Sequence, residues 1–231
     1  MPRPLSATEI SRFRDRLVEA ATRHFAAHGL EGLTLRGLAA DLGVSPMTPY
    51  RYFADKDAIL AAMQARAFER FAAALESAFA SARCTTGRAA AVGAAYTRFA
   101  LREPERYRLI FEVPVKDLRA DPVLQAAAAR ARATMTGYVH ELVAADSVRG
   151  DAELIGQAVW ALMHGAVMLR LSGNFSSTKA CDAVIEGGVH ALFMGFDVTG
   201  GGPDQNPRGS ARRSSGRAPK RRPPQASTKR P

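Results

Sequence analysis

The sequence predicts an all-α protein, and three observations carry the prediction. The body is rich in Ala and Leu, with only 7% aromatic residues and few β-branched runs, which favours helix over sheet. Apolar residues recur at three- and four-residue spacing through most of residues 6–198. Ser, Thr, Asp, Gly and Pro punctuate the periodic runs where helices begin and end. At 231 residues the chain is long enough for one large domain or two small ones. The pattern divides it into 6–60, 61–198 and a tail, 199–231.

In chain order, Ile10, Phe13, Leu17, Ala21, His24 and Phe25 mark one face of a first helix that stops at Gly29. Arg12, Arg14 and Arg16 near its start read either as a solvated face or as an arm for a minor groove. Residues 34–53 are the most informative stretch. Thr34 is a good N-cap, and Leu35, Leu38, Ala39 and Leu42 follow as one buried face. Gly43 can adopt the left-handed conformation that ends a helix. Val44 fills the corner, and Ser45 caps a second helix with Pro46 in its first position. Two short helices about a tight turn form a helix-turn-helix, whose second helix lies in the DNA major groove. Pro49 has no N–H to bond back to Ser45, so this second helix should be short, with an irregular opening turn.

Beyond the turn, Leu60, Met63, Ala67, Phe71, Leu75 and Phe79 stripe a long helix over about 56–81, opened by Asp55 as cap. Further helices are expected over 88–102, over 104–111 with Pro104 in the first position, from Asp121-Pro122 to about Ala145, over 151–171 and over 178–196. No internal repeat is visible. The tail holds nine of the 32 basic residues and one of the 22 acidic ones, so it carries +8 of the formal +10. It has no large apolar residue, so it reads as disordered. Its role is either an electrostatic auxiliary on DNA or a solubilising extension.

The remaining composition excludes several classes. Cys84 and Cys181 lie far apart in no metal or redox motif and read as reduced thiols of a cytoplasmic protein. No signal-like N-terminus is seen, and the most apolar stretch, 152–169, contains Glu153 and His164, so no membrane association is expected. A Gly-rich phosphate loop, paired helical metal ligands and a Ser/Cys–His grouping are all absent. The chain is therefore not expected to be an enzyme or to hold a cofactor, a metal or catalytic residues.

The second helix offers DNA chemistry. Thr48 can bond a base edge or a phosphate, and Met47 and Pro46 offer apolar contact to a thymine methyl. Tyr50, Arg51 and Tyr52 are phosphate donors, while Phe53 turns inward. Lys56 opposes the helix dipole in a first turn, a position that a DNA phosphate would favour. Thr34, Arg36 and Ser45 complete the candidate set.

Residues 14–60 resemble the DNA-binding domain of the tetracycline-repressor (TetR) family of transcriptional regulators. The resemblance rests on Ala20-Ala21, Phe25, Gly29, Thr34, Leu38-Ala39, Leu42-Gly43-Val44-Ser45, Tyr50-Arg51-Tyr52-Phe53, Lys56-Asp57 and Leu60. It implies that the second helix faces bases, and that the tyrosines and Lys56 hold phosphates. Pro49 departs from the aliphatic residue common there. The segment 105–113 (Glu-Arg-Tyr-Arg-Leu-Ile-Phe-Glu-Val) and the motif Trp160-x-x-x-His164-Gly165 resemble the C-terminal domain of a TetR subclass. That resemblance implies a homodimer paired through its last two helices and a small-molecule effector, with repression of a palindromic double-stranded operator until the effector binds. The alternative is an effector-independent or architectural DNA-binder assisted by the tail.

Trp160 and His164 are one turn apart, and Gly165 suggests close approach of a neighbouring helix. His164 is either an effector anchor or a core histidine bonded to another helix. Tyr107, Phe111, Met135, Tyr138, Met163 and Met168 either line a cavity with Trp160 and His164 or are core. Leu192, Phe193 and Phe196, with Val167, Met168 and Leu171, give the last two helices apolar surface enough for a four-helix dimer seam.

Overall fold

Local caps decide where the chain turns. In the computed structural model, which describes residues 6–114 and 121–198, helices account for nearly all the ordered backbone and no strand occurs among the described residues. The basic tail, with the two roles expected of it, lies outside the described residues. Helix α1 (Ala7–Gly32) opens in a capping box: the Ser6 hydroxyl accepts from the Glu9 amide at 3.2 Å, and the Glu9 carboxylate accepts from the Ser6 amide at 2.7 Å. Its regular path breaks at Gly29, which takes φ +68° as the sequence requires. Ile10, expected on the buried face, is exposed one turn in, where no neighbour among the described residues covers the helix start.

Helix α2 (Leu35–Asp41) is capped as expected, with Thr34 Oγ1 accepting from the Gly37 amide at 3.0 Å. Gly43 sits at φ +64°, and the Val44 amide reaches back to the Ala39 carbonyl at 3.0 Å, so the exposed carbonyls of the helix end are met. The next element differs from expectation. Ser45 and Pro46 do not open an α-helix; residues 45–48 form a turn that leads into a 3₁₀ helix, Pro49–Arg51. The reason is Pro49, which cannot donate to the Ser45 carbonyl, leaving that acceptor to the Thr48 amide at 2.8 Å in the tighter i→i+3 pattern.

Helix α3 (Lys56–Ser81) starts on Asp55, whose side chain accepts from the Ala58 amide at 2.8 Å. Its expected stripe is buried, with Met63, Ala67, Phe71 and Leu75 at 1% exposure or less. Helices α4 (Thr85–Arg102), α5 (Pro104–Phe111), α6 (Pro122–Ala144), α7 (Ala152–Leu171) and α8 (Thr178–Val198) follow within a few residues of the predicted bounds. Asp121 and Asp151 cap α6 and α7 through their carboxylates. Helix α3 lies against α4, α5 and α6, while α7 packs between α6 and α8. One continuous core runs from Leu17 and Leu38 through Phe71 to Val167, so α3 belongs to both halves of the molecule. By length and mean hydropathy (1.4), α7 is apolar enough to cross a membrane, yet its row Ile155, Val159, Met163 and Val167 is buried in this core.

Two expectations about α7 and α8 are corrected. A side chain at Gly165 would meet nothing within 4 Å; the close approaches are instead Gly188 on Leu162, where an added Cβ would lie 2.6 Å from Cδ2, and Gly156 on Thr136. Val167 is core, and Met168, Leu171, Leu192, Phe193 and Phe196 are partly buried against that core inside the protomer, so they present less free apolar surface than the expected seam. The large apolar side chains that α7 and α8 leave exposed are Leu154, Trp160, Leu169, Val184 and Met194.

Gln64, 1% exposed on α3, spends its amide on the far end of α5, donating to the Leu109 carbonyl at 3.0 Å and the Val113 carbonyl at 2.9 Å. Removing it leaves two acceptors without that donor. Gln64→Leu should therefore lower the unfolding free energy by about 1–3 kcal/mol in chemical denaturation, and an unchanged midpoint would show these bonds to be dispensable.

Candidate nucleic-acid interface and effector cleft

The turn and 3₁₀ segment present a ridge held from beneath. Pro49 and Phe53 are buried. Arg14 lays its guanidinium 4.3 Å from the Phe53 ring and donates to the Tyr52 carbonyl at 3.0 Å, so it is neither a free solvated residue nor a loose arm. Phe13 stacks on Tyr52 at 4.8 Å, and Tyr52 is half-buried. Beneath the ridge, His24 joins α1 to α2, its Nδ1 2.9 Å from Asp41 and its Nε2 3.1 Å from the Gly32 carbonyl. What remains outward is Met47 at 65% exposure and Tyr50 at 44%, flanked by exposed Arg36, Ser45, Pro46 and Arg51, with Thr48 half-buried. These exposed residues offer base-reading and phosphate-holding chemistry.

Three candidates are already engaged. The Thr34 hydroxyl caps α2, and Ser45 Oγ accepts from the Met47 amide at 3.4 Å. Lys56 donates to the Leu30 carbonyl at 2.6 Å. That carbonyl, at the loosened end of α1, is a local counter-dipole for the ammonium, which the sequence had assigned to DNA. Two protons of the ammonium are left for a phosphate.

In the C-terminal half, Tyr107 is fully buried on α5. Its hydroxyl lies 2.6 Å from that of Tyr96 on α4 and 2.7 Å from His164 Nδ1 on α7. Burial pushes both phenols well above their ordinary range, so they stay neutral. Burial also lowers the His164 pKa, against the opposing pull of Glu112. A neutral imidazole can bond at Nδ1, so the three groups form one continuous hydrogen-bonded chain, Tyr96–Tyr107–His164. Phe111 and Trp160 close around His164, at ring separations of 5.1 and 5.9 Å. His164 is thus the histidine bonded to another helix.

A cleft in this half of the molecule is lined by only part of the set expected around this cluster. A cleft of about 790 Å³ opens between α4 and α8, with α7 and the Tyr138 ring of α6 also lining it. Of the eight ligand candidates only Tyr138 and Met163 line it. Tyr107, Phe111, Trp160 and His164 are the aromatic cluster, and Met135 and Met168 pack on the core. The cleft has room there because the first half of α4 presents only Ala89, Ala90, Gly93 and Ala94 along it, while α8 presents Ile185, Val189 and Phe193. Burial raises the Tyr138 phenol to about 12, so it faces the cleft as a neutral hydroxyl. The sequence reading missed Tyr96, and it missed the polar end of the cleft: Arg98, Arg102, Asp182 and Glu186. Spacing was the available signal, since each like-charged pair sits at i, i+4 on one helix face.

A helix-turn-helix head sharing its core with a helical body defines a DNA-binding regulator of the helix-turn-helix class. A family model described as bacterial regulatory proteins, tetR family, matches residues 17–63, and one described as tetracyclin repressor-like, C-terminal domain, matches residues 89–192. The chain belongs to the TetR family. A solved structure of a protein of unknown function from Rhodococcus sp. RHA1 is 30% identical, covering 80% of this chain and 95% of that one at a TM-score of 0.69. The HTH-type transcriptional regulator Rv1816 of Mycobacterium tuberculosis is 28% identical over 141 residues, 60% of this chain and 59% of its own length. The chain thus spans about three fifths of the length of that curated relative. The HTH-type transcriptional repressor DrrR1 of Streptomyces coeruleorubidus is 50% identical over 46 residues, 20% of this chain and 17% of that protein.

Two outcomes are expected at the buried hydroxyls. Tyr107→Phe strands the Tyr96 and His164 groups and should cost about 1–3 kcal/mol of stability. For His164 the folded state disfavours the proton, so its contribution is complete above the ordinary value of 6.5 and is lost as pH falls through and below it. The thermal midpoint of the wild type should therefore drop more steeply on acidification than that of His164→Gln, which accepts from Tyr107 without titrating. Parallel pH curves would remove His164 from the acid response.

Proposed function

We propose that this protein is a cytoplasmic, homodimeric repressor that binds a palindromic operator and releases it when a small molecule occupies the cleft between α4 and α8. The observation that carries the DNA-binding part is the braced ridge: Arg36, Met47, Tyr50 and Arg51 exposed over buried Pro49 and Phe53. One such ridge reads only a few base pairs, and a two-fold protein on a two-fold site doubles the contacts. Support for the dimer comes from the apolar stripes of α7 (Leu154, Ala161, Gly165, Leu169) and α8 (Val184, Gly187, Ala191, Met194), which recur at helical spacing and lie largely exposed in the protomer. An added Cβ at Gly165 or Gly187 would meet nothing within 4 Å, leaving room for a partner helix. The cleft favours an effector-responsive protein over an effector-independent one, since its size is that of ordinary small-molecule sites. An effector that releases DNA must bind the DNA-incompetent arrangement more tightly.

The DNA assignment is tested by operator selection and footprinting. Tyr50→Phe should weaken binding to every sequence and Thr48→Ala should change base preference, each by about 1–3 kcal/mol at most. Wild-type affinity and selectivity in both would overturn the assignment of this ridge. Sedimentation at micromolar concentration should give twice the protomer mass of 24.8 kDa, falling toward one protomer in Val184→Glu/Met194→Glu. A wild-type monomer would remove the dimer.

A further inference from the structure

The cleft has two chemically distinct ends. At the start of α4, Arg88 bonds Glu141 at the end of α6, and Phe196 of α8 lies close to Gly150 in the loop that follows α6. At the other end, Arg108, just beyond α4, donates to the Leu171 carbonyl, a few residues before α8 begins. Helices α4 and α8 therefore run antiparallel along the cleft. The end near Phe193 is lined by small and apolar side chains together with His190. The end holding Thr178 brings Arg98 and Arg102 on the α4 wall to the same level as Asp182 and Glu186 on the α8 wall.

Among the described residues, none of these four charged side chains makes an ion pair, although all four line one cleft. Each pair is also a like-charged i, i+4 pair, which destabilises its own helix when nothing of opposite sign intervenes. A purely anionic head placed between the walls meets the arginines but brings its charge to the carboxylates. A purely cationic head does the reverse. A head carrying both signs satisfies both walls at once, while a hydrocarbon body fills the space that Gly93 and its alanine neighbours leave beneath Phe193.

We infer that the ligand of this cleft is a zwitterionic amphiphile, with an acidic group on Arg98 and Arg102 and an ammonium group on Asp182 and Glu186. The inference rests on the reading of the cleft as an effector site. It is tested on the full chain by calorimetric titration, below micelle-forming concentration, with octylphosphocholine, octanoate, octyltrimethylammonium and octyl glucoside. The zwitterion should bind about 10-fold or more tightly than either singly charged probe. Arg98→Ala/Arg102→Ala should abolish its advantage over octyltrimethylammonium, and Asp182→Asn/Glu186→Gln its advantage over octanoate. These side chains lie at the cleft rim, and matching thermal midpoints of the variants confirm that folding is retained. Binding of the probes without a headgroup preference, or a preference that survives both double variants, overturns the zwitterion inference alone. Failure of all four probes to bind overturns the effector-site reading with it.

Discussion

A tyrosine hydroxyl that water cannot reach has to find its partners in the protein, and the demand made by Tyr107 organises the C-terminal half. Satisfying it requires Tyr96 of α4 and His164 of α7 to meet on α5, at 2.6 and 2.7 Å. Helix α5 has only eight residues, so little of its own backbone bonding holds it in place. The neighbouring residue, Arg106, points the other way, to Glu19 of α1 at 2.6 Å and to Glu103 at 3.1 Å, and Glu103 in turn meets Arg70 of α3. Gln64 of α3 closes the far end of α5. Partly exposed ion pairs of this kind add little to stability. Their consequence is register: two consecutive residues of α5 tie the DNA-binding head to the helices that flank the cleft.

The exposed ridge of the head is shaped in a similar way. A recognition segment reduced to a turn and a 3₁₀ helix gains little stability from its own hydrogen bonds, since such short segments have poorer geometry. Its shape is imposed from outside, by Arg14 on Phe53 and Tyr52, by Phe13 on Tyr52, and by buried Pro49. The arginine that the sequence left between a solvated face and a DNA arm is thereby a brace. Lys56, read as a phosphate contact, also serves the end of α1 through Leu30.

Legibility in the sequence tracked the range of the interaction. Thr34, Gly43, Asp55, Asp121 and Asp151 act on their own chain neighbours within a few residues, so their caps and turns were readable without the fold. The stripe of α3 was readable because it faces one core along its length. The cleft was not, because the residues that create it on α4 are Ala and Gly, which signal good or poor helix formation and say nothing of a missing neighbour. Trp160, His164 and Phe111 drew the ligand assignment through their chemistry, and in the fold they gather at the junction of α5 with α7. The glycine contacts misled for a related reason. Gly165 and Gly188 look equivalent in sequence, and only the placement of Leu162 decides which of them is pressed.

On the proposed reading, a ligand in the cleft acts on walls that are already bonded to α5. Tyr96 sits on α4, whose other face lines the cleft, and His164 follows Met163, which lines it directly. Wedging α4 away from α8 therefore loads the Tyr96–Tyr107–His164 chain. That chain cannot stretch by more than a few tenths of an ångström before its bonds weaken, so α5 moves with the walls. Arg106 then carries the displacement to Glu19, and the shared core around Phe71 carries it along α3 to Lys56 and the ridge. The size of the response is limited by how much more tightly the ligand binds the splayed arrangement; moving a two-state equilibrium from almost all bound to almost all released takes about 5.5 kcal/mol of such preference. Charge complementarity at Arg98, Arg102, Asp182 and Glu186 supplies that preference only if those four groups are matched better in one arrangement of α4 and α8 than in the other.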